Sequence, residues 1–570
     1  MSKKPNVVLV LTDDQGYGDL GCTGNPYIQT PHIDQFYKDG THLDDFHVSP
    51  LCAPTRGALM TGCRPLRNGV WATCWGRSIL SRESYTLGNL FEDNGYTTGL
   101  FGKWHLGDNY PYRPQDRGFQ KVVAHKGGGV GQTPDFWGNN YFDDTYFNNG
   151  EATQYIGYCT DVWFECTKKF IKENKDQPFF AIVATNAPHS PYLVEERYAE
   201  KYRNNPDIPH PEFYGMIENI DENFGSLRTF LQEEGLEDDT ILIFMTDNGT
   251  SGGLHCDKEG NLTAGYNGGM RGMKGSHYDG GHRVPFIIRY PNGNIVSKSV
   301  DEMIMHTDML PTFASLCDLA MPTDKEFDGI NVCDTIVNGT PLEDRIEFVQ
   351  FKQGTFIPDK WVNAVLTKDY RLINGTELYA IKKDPNQRND IASEHPEIVA
   401  KLREAHENWW ESVVDVMLPY NPILIGSEHE NPTRLDAMDV LGDVAWSQSE
   451  VHAAKKSAGE WAIAFDAVGT YTFTLCRWPS EIWDQIIDEL PREEVKTPAP
   501  YHAYNPTKVA IKTAKLTLGE NTYEAEVVDG RASFTVEVDD LSIERLHAGF
   551  YLADGDYIGA FYVYVERTLS

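Results

Sequence analysis

Five short stretches of this chain are apolar almost throughout: Asn6–Thr12, Thr97–Gly102, Phe179–Thr185, Thr240–Thr246 and Pro285–Arg289. A strand with one wet face alternates apolar and polar residues. A continuous apolar run is buried on both faces, as in a parallel sheet. Helical patterns separate these runs. Glu212–Glu234 carries Phe213, Ile217, Ile220, Phe224, Leu227 and Leu231 at three-to-four spacing, which predicts an amphipathic helix stopped by Gly235. Roughly the first three hundred residues are thereby confined to an α/β sheet with helices on both faces.

The pattern then changes. Ala392–Val414 predicts a second long helix, with Ile398, Leu402, Ala405, Trp409 and Val413 on one stripe. The Trp409-Trp410 pair on it reads as core packing rather than a sugar platform. Pro419–Pro432, rich in Pro, Gly and polar residues, reads as a linker. Beyond it the period is two: Thr470–Leu475, Val509–Lys512, Ala532–Val536 and Ile558–Val565, with turns at Asp529-Gly530 and Asp554-Gly555. This predicts a β-sandwich-like module over 433–570.

The 570 residues include 50 basic and 84 acidic side chains, a net charge of −34, which argues against nucleic acid or an anionic membrane surface as partner. No stretch approaches the roughly 18 apolar residues that span a bilayer. Ten cysteines show neither CxxC nor zinc-type spacing, so no disulfide scaffold or zinc site is expected. The start, Met1–Pro5 followed by Asn6–Leu11, imitates a signal peptide weakly. Its apolar run is short, lacks a small-residue cleavage site and continues into Asp13-Asp14. As written, the chain is expected in the cytoplasm, and in the periplasm or outside the cell if a leader was removed.

Two of the predicted strands run into oxygen-bearing pairs, Asp13-Asp14 and Asp247-Asn248. Ligands of open α/β sheets bind outside the carboxyl ends of the strands, so both tips should face one crevice. Three carboxylates and an amide oxygen make a hard oxygen cage, suited to calcium or magnesium and not to zinc. Around this cage stand four further stretches. They are Cys52-Ala53-Pro54-Thr55-Arg56, Gly102-Lys103-Trp104-His105-Leu106-Gly107, Ala187-Pro188-His189-Ser190-Pro191, and Arg271–Gly275 with Asp279–Pro285. Cys52 opens a predicted helix, whose positive end favours an anion. The glycine run Gly127–Gly131 lacks the Gly-Lys-Ser/Thr of a phosphate loop. With His125, Gln132, Asp135 and Trp137 it reads instead as a loop beside the pocket, His125 and Trp137 being candidates to contact a sugar.

Together these stretches resemble the type I formylglycine sulfatases, over roughly Pro5 to Val414. The resemblance implies an alkaline-phosphatase-like mixed sheet sandwiched by helices (1–330), followed by a small C-terminal α+β subdomain (331–418). That subdomain is signalled by Glu377-Leu378-Tyr379, Asp384-Pro385 and Asp390-Ile391-Ala392. It further implies that a maturation enzyme, reading Cys52, Pro54 and Arg56, converts Cys52 to formylglycine (3-oxoalanine). One hydroxyl of the hydrated aldehyde attacks sulfur, and loss of a proton from the other expels sulfate, so that one hard step becomes two easier ones. Arg56 would orient residue 52, which joins the metal shell, with calcium ahead of magnesium. Lys103 and Lys274 would bind sulfate, His105 would take the proton in the elimination, and His189 would protonate the leaving oxygen. The implied substrate is a sulfated saccharide. A phosphonate monoester or phosphodiester hydrolase of the same superfamily is the alternative, and a sugar-binding protein with unmatured Cys52 the non-catalytic one.

Overall fold

The computed structural model describes residues 4–417, 419–487, 489–491 and 506–569. Its centre is a ten-stranded mixed sheet. In chain order the strands are β1 (Asn6–Thr12), β2 (Thr41–His47), β3 (Thr97–Lys103), β4 (Lys121–His125), β5 (Thr145–Asn148), β6 (Glu151–Gln154), β7 (Phe179–Ala184) and β8 (Thr240–Thr246). After a small hairpin, β9 (Leu254–Cys256) and β10 (Leu262–Gly265), come β11 (Phe286–Arg289) and β12 (Lys298–Met305). The spatial order is β12-β2-β11-β8-β1-β7-β3-β4-β5-β6.

From β8 to β4 the five neighbours are parallel, and every residue of β1, β7 and β8 is buried. Continuous apolar runs and two-sided burial thus coincide, as expected. One run departs from expectation: β11 lies antiparallel to both β8 and β2. It is equally apolar because helices cover it on both sides, and composition reports burial rather than strand direction.

One face of the sheet is covered by the helices Pro31–Asp39, Cys159–Asn174 and Pro211–Glu233, whose Phe36, Phe170, Phe224 and Leu227 pack on Val8, Val10 and Val183. The other is covered by Cys52–Thr61, Leu87–Asp93 and Met309–Leu316, through residues such as Leu59, Phe91 and Phe313. The predicted helix 212–234 is present, followed by Gly235 at φ +68. That predicted over 392–414 starts later, at Pro396, because proline suits a first helical position. Trp409 and Trp410 are core residues as read, packed with Leu66, Trp71 and Val413.

A four-stranded antiparallel sheet, Glu347–Val349, Ala364–Leu366, Tyr370–Ile373 and Glu377–Ala380, packs with that helix. The C-terminal region forms two further sheets that share one core of residues such as Trp461, Phe473, Leu516, Phe550 and Val563. Asp529 and Gly530 both have positive φ and join Asn521–Glu526 to Arg531–Val538, as their turn signal predicts. The segment read as a linker is more ordered than its composition suggests: Ile423–Ile425 adds a parallel strand beside Ala458–Phe465. All ten cysteines are free thiols. Among the described residues no helix is long and apolar enough to cross a membrane.

Candidate active site

Strand order explains the site. β8, β1, β7 and β3 are successive parallel neighbours, so their carboxyl tips lie side by side. Thr12 pairs with Thr246, Leu11 with Ala184 and Gly102 with Ala184. The next residues of each chain segment therefore converge: Asp13 and Asp14, Asp247 and Asn248, His189, Lys103 and His105. Backbone bonds fix the tips further, Asp247 N to Thr12 O at 3.0 Å and Asp13 N to Ala187 O at 3.2 Å. Glycine is required at 102, where φ is +113 and a Cβ would stand 1.9 Å from the Ala184 carbonyl oxygen.

One ligand oxygen from each of Asp13, Asp14 and Asp247 lies within 4.8 Å of the others, and all three residues are buried. Each carboxylate also has its own cation. Lys103 Nζ reaches Asp13 at 2.5 Å, Lys274 Nζ reaches Asp14 at 2.7 Å, and Arg56 grips Asp247 through Nε and Nη2 at 3.0 and 2.9 Å. Asp13 Oδ1 and Asn248 Oδ1 remain buried without a hydrogen-bond partner. Orphaned oxygens of this kind are rare in native interiors and point to a missing cation ligand sphere. The four residues fit a hard divalent ion.

The electrostatics agree. Burial alone would raise Asp14, but Lys274, His189 and Lys103 outweigh it and hold its carboxyl well below the usual range. Asp247 goes the other way, to about 7, through burial and the neighbouring Asp13, which Arg56 and Lys103 only partly offset. Three carboxylates so close together need positive charge to stay ionised together. Cys52, 2% exposed, heads the ten-residue helix Cys52–Thr61 beside this cluster. Burial raises its thiol, and Lys103 and Lys274 pull it back only in part. Arg56, one turn along, also donates to the Lys103 carbonyl at 2.9 Å, so it joins the helix to two strand tips.

The histidines have defined proton positions, because a carbonyl can only accept. His105 Nε2 donates to Thr73 O at 2.9 Å, and its buried Nδ1 is left unpartnered. Burial and then Lys103 hold this ring well below its ordinary pKa, hence neutral. His189 Nδ1 donates to Ser190 O at 2.6 Å, and Nε2 faces Asp14 Oδ2 at 3.7 Å. Burial, with Lys274 and Lys103, lowers His189 to about 4 despite Asp14.

Cys52, His105, His189 and Lys274 line one cavity of about 460 Å³. The glycine run closes on it as expected, and the reason is steric: a Cβ at Gly128 would fall 2.3 Å from His105 Cε1. Two expected sugar contacts lie elsewhere. Trp137, 5% exposed, is buried in the core of the C-terminal region, 5.0 Å from His452 and 5.5 Å from Trp478 between ring centres. It has no ring face free for a sugar. His125 pairs with Lys103 across β3 and β4 but is buried, its Nδ1 on the Lys126 carbonyl at 3.0 Å, and it lines a separate, smaller cleft. Sequence reading also missed Thr73, Cys74 and Trp75 on the cavity wall, which carry no motif.

The chain matches a family model described as Sulfatase over residues 5–319, and one described as N-sulphoglucosamine sulphohydrolase, C-terminal, over 273–411. It is 26% identical to arylsulfatase J of Mus musculus, over 73% of this chain and 78% of that protein. It is 25% identical to human N-acetylgalactosamine-6-sulfatase, over 72% and 86%. The crystal structure of Ps i-CgsB in complex with k-i-k-neocarrahexaose superposes with a TM-score of 0.63 at 27% identity, over 71% of this chain and 93% of that one. The phosphonate monoester hydrolase of Agrobacterium radiobacter shares the fold, with a TM-score of 0.51 at 19% identity, over 72% and 95%.

Proposed function

The chain belongs to the sulfatase family of sulfuric ester hydrolases, and from that premise we propose that it removes sulfate from a saccharide, with residue 52 as nucleophile and Asp13, Asp14, Asp247 and Asn248 holding a calcium ion. The observation that carries this reading is the floor of three buried carboxylates, each paired with a cation, beside Cys52, with two oxygens left unpaired. Its local positive groups also answer how a chain of net charge −34 can take an anionic substrate, since distant charges are screened beyond about 8 Å.

Matured to formylglycine, residue 52 supplies one hydroxyl to attack sulfur and another from which sulfate can be eliminated. When bound, the cation held by Asp13, Asp14, Asp247 and Asn248 would supply Lewis-acid charge to the reaction. The remaining work falls to the chain's own side chains. Lys103 and Lys274 would bind sulfate oxygens as point charges. Arg56 keeps Asp247 and the Lys103 backbone in register with the helix that carries residue 52. His105, neutral with a free Nδ1, is the base for the elimination. His189 has Nε2 as its open position and is the acid for the leaving oxygen. Bound sulfate offsets the lysines that depress its pKa and so raises its affinity for that proton.

Two measurements test this. The peptide containing residue 52 should show the mass of an aldehyde in place of a thiol and react with a hydrazine. The matured protein should release nitrophenol from nitrophenyl sulfate faster than from nitrophenyl phosphodiesters, and a chelator should stop it until calcium is restored. Faster diester cleavage refutes the sulfate-ester assignment, and full activity in chelator refutes the metal.

A further inference from the structure

The cavity above Cys52 is deeper than a sulfate needs, and its outer wall does not come from the catalytic sheet. Met438, Val444, Trp446 and Lys455, all from the C-terminal region, line it together with Cys52, His105, His189 and Lys274. These four lie past residue 411, where the family matches end. At about 460 Å³ the cavity falls within the range of small-molecule sites, which are apolar with a few placed polar groups.

Trp446 is the exposed aromatic of this wall: 40% of it is open to solvent. An indole gives this wall a large, rigid apolar face with one polar edge. Its position is fixed from both sides. Trp446 N donates to Glu450 Oε2 at 2.8 Å, and its carbonyl accepts from Thr133 N at 3.1 Å. Ser447 then caps the short helix Gln448–His452, and Gln448 N donates to the Gly131 carbonyl at 3.0 Å. The opposite wall is clamped to the same region: Trp75 N donates to Met438 O at 3.0 Å and Trp75 Nε1 to Gly442 O at 3.1 Å. Beside Trp446, Lys455 Nζ is held by Glu450 at 2.5 Å and carries the rim's cation.

We propose that the C-terminal region completes the substrate pocket, and that Trp446 is a specificity-determining residue on which the sugar ring bearing the scissile sulfate, or its neighbour, stacks. This rests on the sulfatase reading above. The C–H face of a pyranose offers a flat apolar surface to an indole, while its hydroxyls meet the polar wall formed by Thr73, Gln132 and Gln353. A small aryl sulfate reaches the floor and needs the rim less.

The test uses the full, matured chain with Trp446→Ala and Trp446→Tyr. Substrates are nitrophenyl sulfate and a panel of galactose, N-acetylgalactosamine and N-acetylglucosamine 4- and 6-sulfates, with melting temperature checked for each variant. For the sugars that the wild type hydrolyses, Trp446→Ala should lower kcat/KM about tenfold more than for nitrophenyl sulfate, through KM, the scale of one aromatic contact. Trp446→Tyr should restore most of that loss. Equal losses on both substrate types, or a wild type that cleaves nitrophenyl sulfate but no sugar sulfate, overturn the proposal and leave the sulfatase reading standing. No sulfate release from any substrate overturns the sulfatase reading instead.

Discussion

The floor of the pocket is assembled from adjacent strand tips and held by charge, whereas its rim is assembled from loops and held by packing against the C-terminal region. On the floor every carboxylate has a cation within 3 Å, and every ionic group except the half-buried Lys274 is buried. At the rim, apart from the Lys455–Glu450 pair, the contacts are hydrogen bonds to backbone groups and ring packing: Gln448 Nε2 spans the carbonyls of Gln132 and Phe136 at 3.3 and 3.1 Å, and Trp137 is driven into the core of the C-terminal region. Chemistry and stability are thus assigned to different places. A change on the floor should act on the barrier to reaction, and a change at the rim on folding or on substrate choice.

The largest expected effect separates the two most cleanly. Cys52→Ala should abolish turnover, by at least about a thousandfold as for removal of other covalent nucleophiles. Its melting temperature should stay within a few degrees, because the ion pairs around residue 52 are complete without its sulfur. A melting point far below wild type would show that floor and fold are not separable. Trp137→Ala should do the reverse, destabilising the protein by about 3–5 kcal/mol in urea as a large core truncation does. Its kcat at permissive temperature should fall far less than that of Cys52→Ala. Unchanged stability with lost turnover of a sulfated sugar would return Trp137 to the role of sugar contact.

This division also decides what could be read from the sequence. The floor was legible because apolar runs ending in Asp13-Asp14 and Asp247-Asn248 carry both strand and tip in consecutive residues. Lys103 and His105 likewise follow their strand directly. The direction of β11 was not legible, since burial on two faces leaves the same composition in either orientation. The rim was hidden for a different reason. Trp446 and Trp75 meet at the cavity only through long-range packing, and nothing local to either marks it as exposed or lining. Trp137 misled in the same way: its neighbours Asp135 and Gln132 do lie by the loop, but the indole turns into the core of the C-terminal region. The linker composition of Pro419–Pro432 concealed a strand because Ile423–Ile425 is short and completed by a partner in the C-terminal sheet.

The smallest effect expected sharpens the comparison through pH. His452, packed edge-on and tilted against Trp478 and Trp137, has both ring nitrogens buried and unpartnered. Burial, helped by Arg477, lowers it to about 4 from its ordinary value near 6.5. Between those values the unfolded chain binds a proton that the folded one refuses, so His452 removes stability as pH falls from 6.5 toward 4. Glu489, raised by burial to about 7 although Arg477 opposes it, has the opposite sign: the folded chain holds the extra proton, and stability is lost as pH rises toward 7. In the wild type the two slopes oppose each other, and His452→Phe should remove the first while keeping a ring against both tryptophans. The variant should therefore gain on the wild type as pH drops from 7 to 5, by up to about 2 kcal/mol for this pKa difference. Urea midpoints of both proteins at the two pH values measure that gain directly. A gap between them that does not change with pH would mean that water reaches the His452 ring and that the packing of Trp137 on the C-terminal region is wet.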